Sequence, residues 1–240
     1  VGGIFGKAYR VSELFNVYVM SSVVGKKDEN NSLQSRAYIG GLIGEAYNVN
    51  VNYAFVGTNI SSEEYPINLC GGTYVGGLIG AGTNVNILNS KGKITNLTIY
   101  GKYPIDTEFK TTVETSVSGE IDKKVTSNGG AIGYAITVLE DNSESSLCSL
   151  TNIDIQITNL ENKYFEFGGI VGFAENMELF ELSTDVNRDD SNECINNVYG
   201  IAGTIKNAVT SANWYTNNYW FTNMSTLKFA DNITLLDGLT

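Results

Sequence analysis

The 240-residue chain contains no histidine. That absence removes Ser-His-Asp and Cys-His triads, imidazole metal sites and histidine acid/base chemistry in one step. Cysteine is scarce. Cys70, Cys148 and Cys194 leave at least one thiol unpaired within the chain, and no C-x-x-C pair occurs. Structural zinc, thioredoxin-like redox chemistry and a disulfide-held scaffold are therefore not expected. Proline occurs twice against 26 glycines, a ratio far from collagen or a polyproline linker and compatible with many strands. No apolar run reaches the length of a membrane span. No secretory signal stands at Val1. The chain starts directly on a repeated motif, so it reads as a processed product or a piece of a longer protein, and the missing signal says nothing about secretion.

Positive charge is also short. Fifteen basic residues face 26 acidic ones, for a net charge of −11. Lys26-Lys27 and Lys123-Lys124 are the only adjacent basic pairs, and neither makes a patch. Nucleic acid and anionic membrane surfaces are poor partners for such a chain.

What the chain has is glycine in a fixed pattern. Gly40-Gly41-Leu42-Ile43-Gly44 returns as Gly76-Gly77-Leu78-Ile79-Gly80 and as Gly168-Gly169-Ile170-Val171-Gly172. Gly2-Gly3-Ile4-Phe5-Gly6 and Gly129-Gly130-Ala131-Ile132-Gly133 differ by one residue, and Tyr199-Gly200-Ile201-Ala202-Gly203 is a decayed sixth copy. The last glycines, Gly6, Gly44, Gly80, Gly133, Gly172 and Gly203, are separated by 38, 36, 53, 39 and 31 residues. A period of this size is the mark of a stacked repeat architecture.

Aligned on the last glycine, the copies agree beyond the motif. The preceding position holds Phe5, Ile43, Ile79, Ile132, Val171 and Ala202. Two positions after it stand Ala8, Ala46, Gly82, Ala135, Ala174 and Ile205. Apolar or small residues at fixed offsets are expected to stack from copy to copy into one continuous core. Four positions after the glycine stand Arg10, Asn48, Asn84, Thr137, Asn176 and Asn207. Asn48, Asn84, Asn176 and Asn207 are read as a structural ladder, because stacked asparagines pass amide hydrogen bonds along a sheet and tolerate the left-handed conformation of tight turns. A ligand-binding stripe is the other reading of the same column. The paired glycines themselves are expected where a coil turns sharply and neighbouring coils stack closely. No G-x-G-x-x-G pattern or long helical stretch accompanies them, so a phosphate loop is not expected.

Between motifs the period is that of strands. Val49-Asn50-Val51-Asn52-Tyr53, Val85-Asn86-Ile87, Thr95-Asn96-Leu97-Thr98-Ile99 and Ile153-Asp154-Ile155-Gln156-Ile157 alternate apolar and polar residues, as half-buried strands do. Two to four short strands per copy are expected, one of them running through the glycine motif. The adjacent apolar pair within the motif, such as Leu42-Ile43, conflicts with alternation; either the glycines kink the strand or another segment covers its outer face. The long third interval predicts an insertion near residues 103–126. Glu140 to Ser146 and Asn187 to Glu193 read as polar turns; the second is acidic but lacks the calcium-loop pattern.

Beyond the sixth copy, Trp214, Tyr215, Tyr219 and Trp220 form an aromatic cluster. They fit a terminal coil whose rings plug the core, or a weak glycan or protein contact. Sequons stand at Asn30, Asn59, Asn96, Asn223 and Asn232 and permit glycosylation in a secretory compartment.

The motif, with a small residue after it and Asn-Val a few positions on, resembles the GLUG repeat; the nearest copies span 38–51, 74–87 and 166–177, and the resemblance covers residues 1–215. It implies a β-rich, helically stacked region of large surface or secreted proteins, such as bacterial adhesin-like proteins. It also implies a place in some immunoglobulin-A-cleaving metallopeptidases, whose zinc domain is separate and carries a His-Glu-x-x-His signature absent here. The repeat brings no catalytic residues.

These readings converge on an all-β chain: a right-handed parallel β-helix or β-solenoid of about six irregular coils over residues 1–215, with 216–240 as a terminal coil, cap or link. The expected role is a structural or adhesive module without catalysis, cofactor or metal. Its expected partners are other protein subunits or further domains of the same protein, and glycans in second place, at a cell surface or outside the cell. The alternatives are a carbohydrate-binding module using the terminal aromatics and a polysaccharide-active β-helix enzyme. The enzyme needs two carboxylates on one face, for which Glu13, Glu140 and Glu178 stand at comparable offsets from their glycines.

Overall fold

The computed structural model describes residues 1–25, 38–71, 74–99, 127–138, 147–162, 167–188, 198–208, 219–222 and 230–235. Described residues contain strands and no helix. The expected insertion near 103–126, the polar turn 140–146 and most of the acidic turn 187–193 lie outside them.

Two sheets are present, and every strand pairing within them is parallel. In chain order the strands are β1 (Phe5–Val19), β2 (Val23–Val24), β3 (Tyr38–Gly40), β4 (Ile43–Val56), β5 (Asn68–Gly71), β6 (Tyr74–Gly76), β7 (Ile79–Ile99), β8 (Ser127–Gly129) and β9 (Ile132–Ile136). They continue with β10 (Cys148–Asn162), β11 (Phe167–Gly168), β12 (Val171–Glu175), β13 (Met177–Arg188), β14 (Val198–Tyr199), β15 (Ala202–Ala208), β16 (Tyr219–Thr222) and β17 (Ala230–Leu235). The small sheet has the order β14-β11-β8-β6-β3 and the other strands form the large one.

Register follows the glycine alignment. Phe5 pairs with Ile43, Ile43 with Ile79, Ile79 with Ile132, Ile132 with Val171 and Val171 with Ala202. Ala8, Ala46, Gly82, Ala135, Ala174 and Ile205 form a second such column. Most of these side chains enter one continuous buried cluster, which also holds Leu69, Leu97, Leu150 and Phe167. Copies thus pair with the next copy along the chain, whatever the sequence distance between them.

The glycine motif is not a strand, contrary to expectation. It is split between the sheets. Tyr38-Ile39-Gly40 ends a strand of the small sheet, Gly41-Leu42 bends, and Ile43 begins a strand of the large one. The bend resolves the conflict of the adjacent apolar pair: Leu42 and Ile43 lie on different sides of a corner, and both are fully buried. The same holds for Leu78 and Ile79, and for Ile170 and Val171. Backbone bonds continue through the corner, with Leu42 N–H donating to Leu78 O (2.9 Å) and Leu78 N–H to Ala131 O (2.8 Å).

The corner explains the glycines by space. A methyl group on Gly80 would lie 2.6 Å from Gly44 O and 2.7 Å from Ile39 N. On Gly41, Gly77 or Gly130 it would strike the carbonyl oxygen of the matching glycine in the next copy. None of these glycines has a positive φ; among the described glycines only Gly57 does, at 70°.

The strands of the large sheet are longer than expected, β7 reaching 21 residues. They stay continuous because single left-handed residues bend them without breaking the ladder. One set of bends is Arg10, Asn48, Asn84 and Asn176; another is Asn16, Tyr53, Asn89, Asn152 and Glu181. Pairing of the flanking residues sets Tyr53 beside Asn89, Asn89 beside Asn152, and Asn152 beside Glu181.

Two substitutions separate the spatial argument from glycine propensity. Gly77→Ala is expected to cost about 3 kcal/mol or more, because backbone rather than a side chain must move. Gly6 has open space around it, so Gly6→Ala is expected to leave the urea midpoint unchanged. Equal effects on chemical denaturation would contradict the account.

Candidate functional surface

The outer walls carry the polar side chains, and their amides bond one another. Asn86 Nδ2 donates to Asn50 Oδ1 (2.9 Å), and Asn86 Oδ1 accepts the N–H of Ser149 (2.8 Å). Asn89 Nδ2 donates to Asn52 Oδ1 (3.0 Å) and Asn152 Nδ2 to Asn89 Oδ1 (2.8 Å). A third ladder runs from Asn159 Nδ2 to Asn96 Oδ1 (3.1 Å) and from Asn96 Nδ2 to Asn68 Oδ1 (2.6 Å). An amide has both donor and acceptor on one planar group, so stacked copies at one strand spacing satisfy each other.

Of the asparagines singled out in the sequence, Asn48, Asn84 and Asn176 occupy left-handed bends. Asn84 Oδ1 accepts the N–H of Val138 (2.8 Å), and Asn176 Nδ2 donates to Thr137 O (3.0 Å). These two amides therefore tie a bend to the backbone just past the end of β9. Asn207 lies in β15. The sequence pattern set its amide ladder in this column; the amide-to-amide bonds run instead through Asn50 and Asn86, through Asn52, Asn89 and Asn152, and through Asn68, Asn96 and Asn159, positions it had not singled out as a ladder. Their signal was present: Asn50 and Asn86 both stand six positions after the motif glycine, flanked by Val or Ile.

Aromatic residues form columns of their own. Tyr38 stacks on Tyr74 at 5.2 Å, Tyr74 meets Tyr134 edge-on at 5.8 Å, and Tyr134 stacks on Phe173 at 4.9 Å. This column is buried, with Ala81 beside it. Tyr9 stacks on Tyr47 and Tyr18 on Phe55. Burial, then the negative charge of Glu45 and the neighbouring phenols of Tyr74 and Tyr134, push the Tyr38 phenol far above its usual range. Burial likewise raises the Cys148 thiol, against a smaller lowering from its bond with Thr137.

The terminal aromatics are only partly placed. Trp214 and Tyr215 fall outside the described residues. Tyr219 and Trp220 lie in β16, where Trp220 pairs with Thr184. Trp220 thereby takes the register position of Val19, Val56, Gly92, Ile155 and Thr184, all buried.

Glu13 and Glu178 share one register column, with Glu13 opposite Asn50 at a bulge and Asn86 and Ser149 between Asn50 and Glu178. Both are exposed. Four strand steps separate them by roughly 19 Å, well beyond the spacing of about 5–9.5 Å that a glycosidase pair needs. Glu140 lies outside the described residues. Among the described residues no group of three or more Cys, Asp or Glu is placed to hold a metal ion.

The sequons differ sharply. Asn96 is held by both ends of its amide in the third ladder. Asn59 sits in the loop after β4, where its Oδ1 accepts the N–H groups of Ser61 (2.9 Å) and Glu63 (3.0 Å), and its Nδ2 donates to Glu63 Oε2 (2.8 Å). Asn232 lies in β17; Asn30 and Asn223 fall outside the described residues.

Two measurements test these assignments. Asn89 combines a φ of 48° with a ladder amide, whereas Asn86 carries a ladder amide without the bend. Asn89→Ala is expected to lower stability by about 1 kcal/mol more than Asn86→Ala, read from urea midpoints. The phenol of Tyr38 has a raised pKa when folded, so the folded state keeps a proton that the unfolded state loses. Stability is therefore whole below the unfolded value of about 10 and falls as pH rises through it. Tyr38→Phe is expected to flatten that alkaline loss; an unchanged slope between pH 9 and 11 would assign it elsewhere.

Compared with protein-family models, with curated proteins and with solved structures, the chain matches none.

Proposed function

We propose that this chain is a structural or adhesive module of a cell-surface or secreted protein, built as a right-handed parallel β-solenoid of about six coils, and that it performs no catalysis. The likeness to GLUG repeats over residues 1–215 belongs to this reading, with residues 216–240 as the closing coil or the link to a further module. The in-register pairing of successive glycine motifs supports the solenoid geometry. The observation that carries the functional reading is the spending of outward amides on one another: Asn50 with Asn86, Asn52 with Asn89 and Asn89 with Asn152, Asn68 with Asn96 and Asn96 with Asn159. Groups that satisfy their neighbours along a wall rigidify it and leave little converging on a ligand. A catalytic surface concentrates polar groups at one point; here they are spread along columns. The partners of such a wall are other protein subunits or further domains, with glycans second.

The test pairs location with activity. Antibody against the chain is expected to label intact, unpermeabilised source cells or the surrounding medium. Incubation with neutral and acidic polysaccharides is expected to release no reducing ends, for the wild type and for Glu13→Gln and Glu178→Gln alike. Label confined to the cell interior, or hydrolysis that either substitution abolishes, would overturn the proposal.

A further inference from the structure

We infer that Asn59 is a glycosylation site: its side-chain amide receives an oligosaccharide, and the fold keeps Asn96 free of one. The inference rests on the surface or secreted location proposed above and adds to it a modification and its position.

An N-x-[ST] sequon is an acceptor where it lies on a surface loop. Of the three sequons among the described residues, Asn96 lies in β7 and Asn232 in β17, and only Asn59 lies in a loop. That loop joins β4 to β5 and has a fixed shape. Gly57 O accepts the N–H of Tyr65 (2.9 Å), Thr58 and Glu64 form an antiparallel bridge, and Lys93 of β7 holds Glu64 in an ion pair. Between the two sides of that bridge lies the sequon. Asn59 Oδ1 accepts the N–H of Ser61, the third residue of the same sequon, and Asn59 O accepts the N–H of Ser62 (3.0 Å). Ile60, Ser61 and Ser62 are exposed. Ile60, at 66%, is the most exposed large hydrophobic side chain among the described residues. An oligosaccharide attached beside it takes part of that surface out of water.

The Asn59 amide can be substituted without undoing the loop. Its Nδ2 carries two N–H donors, and they serve Glu63 Oε2 at 2.8 Å and Tyr65 OH at 3.4 Å. The second bond is long. The Tyr65 hydroxyl also donates to Glu63 Oε2 at 3.0 Å, so it keeps a partner when Asn59 gives up that hydrogen. The sugar donor is a lipid-pyrophosphate-linked oligosaccharide. Nδ2 forms a bond to the anomeric carbon, and the bond from that carbon to the pyrophosphate oxygen breaks. The lipid pyrophosphate leaves with the electron pair, and Nδ2 loses one proton. Asn96 lacks this freedom. Its Nδ2 donates to Asn68 Oδ1 at 2.6 Å and its Oδ1 accepts from Asn159 Nδ2 at 3.1 Å. A sugar on Nδ2 would need the place of the Asn68 amide, so a chain carrying one could not close this ladder.

Peptide mapping by mass spectrometry tests this on the full chain, recovered from the surface of its source cells and, separately, secreted behind a leader peptide by glycosylating eukaryotic cells. Lys91 and Lys93 lie between the two sequons, so trypsin puts Asn59 and Asn96 on different peptides. The Asn59 peptide is expected to carry N-acetylhexosamine and hexose that peptide N-glycosidase removes, converting that asparagine to aspartate. The Asn96 peptide is expected to stay bare. Ser61→Ala breaks the sequon but keeps the Ser61 N–H and every bond of Asn59. It is expected to abolish the Asn59 glycan and to leave the thermal midpoint of the deglycosylated chain unchanged, whereas Ser61→Thr is expected to retain the glycan. A bare Asn59 in the wild type from either preparation overturns the site. A glycan on Asn96 in the folded chain overturns the selection by the ladder. The secreted preparation reads the site whatever the natural location of the chain, and neither result touches surface labelling or the absence of hydrolysis, so the functional proposal stands or falls separately.

Discussion

The approach of one backbone to another at the glycine corner is the constraint on which the rest depends. Successive motifs cross the corner one strand spacing apart, and a carbonyl oxygen of the next copy occupies the place a side chain would need. That contact lets Leu42 and Ile43 turn inward on either side of one bend. It also carries the chain from the small sheet to the large one. Once the corner is set, the register of the residues that follow it is set with it, up to the first bulge, such as the one between Val11 and Leu14. The column from Ile43 to Ala202 and the small-residue column from Ala8 to Ile205 arise from that start.

Asparagine does two jobs in the walls, and the two are separable by backbone geometry. At Asn48, Asn84 and Asn176 it accepts a left-handed conformation that β-branched residues resist. At Asn50, Asn86, Asn96 and Asn159 the backbone is not left-handed, and the amide links strands instead. Asn89 and Asn152 do both. The abundance of this residue beside Val and Ile thus accompanies bent, stacked strands.

Much of this was legible in the chain. The six glycine motifs foretold which residues would share a column, and the small or apolar residues after the last glycine foretold one continuous core. The parallel all-β architecture followed from the same spacing. The corner was not legible, because Gly40-Gly41-Leu42-Ile43-Gly44 satisfies a strand pattern as well as a bend until the packing of the next copy is known. The amide ladders were hidden for a related reason. Alternation in Val49-Asn50-Val51-Asn52 announces an outward asparagine, but only cross-strand register says that its neighbour is another asparagine. The carboxylate pairing failed on distance: equal offsets from a glycine put Glu13 and Glu178 in one column, and a column separates its members by a whole number of strands.

The asparagine ladders have a consequence for how such a chain changes over generations. Asn50 and Asn86 lie 36 residues apart, whereas Asn89 and Asn152 lie 63 apart, yet each pair makes the same bond at nearly the same length. The rung does not register how many residues separate its two members in the chain. The number of rungs and the chain length between them therefore vary independently. A lineage can thus lengthen or replace the sequence between two rungs while the bond between them keeps its length, which makes the column a frame for diversification.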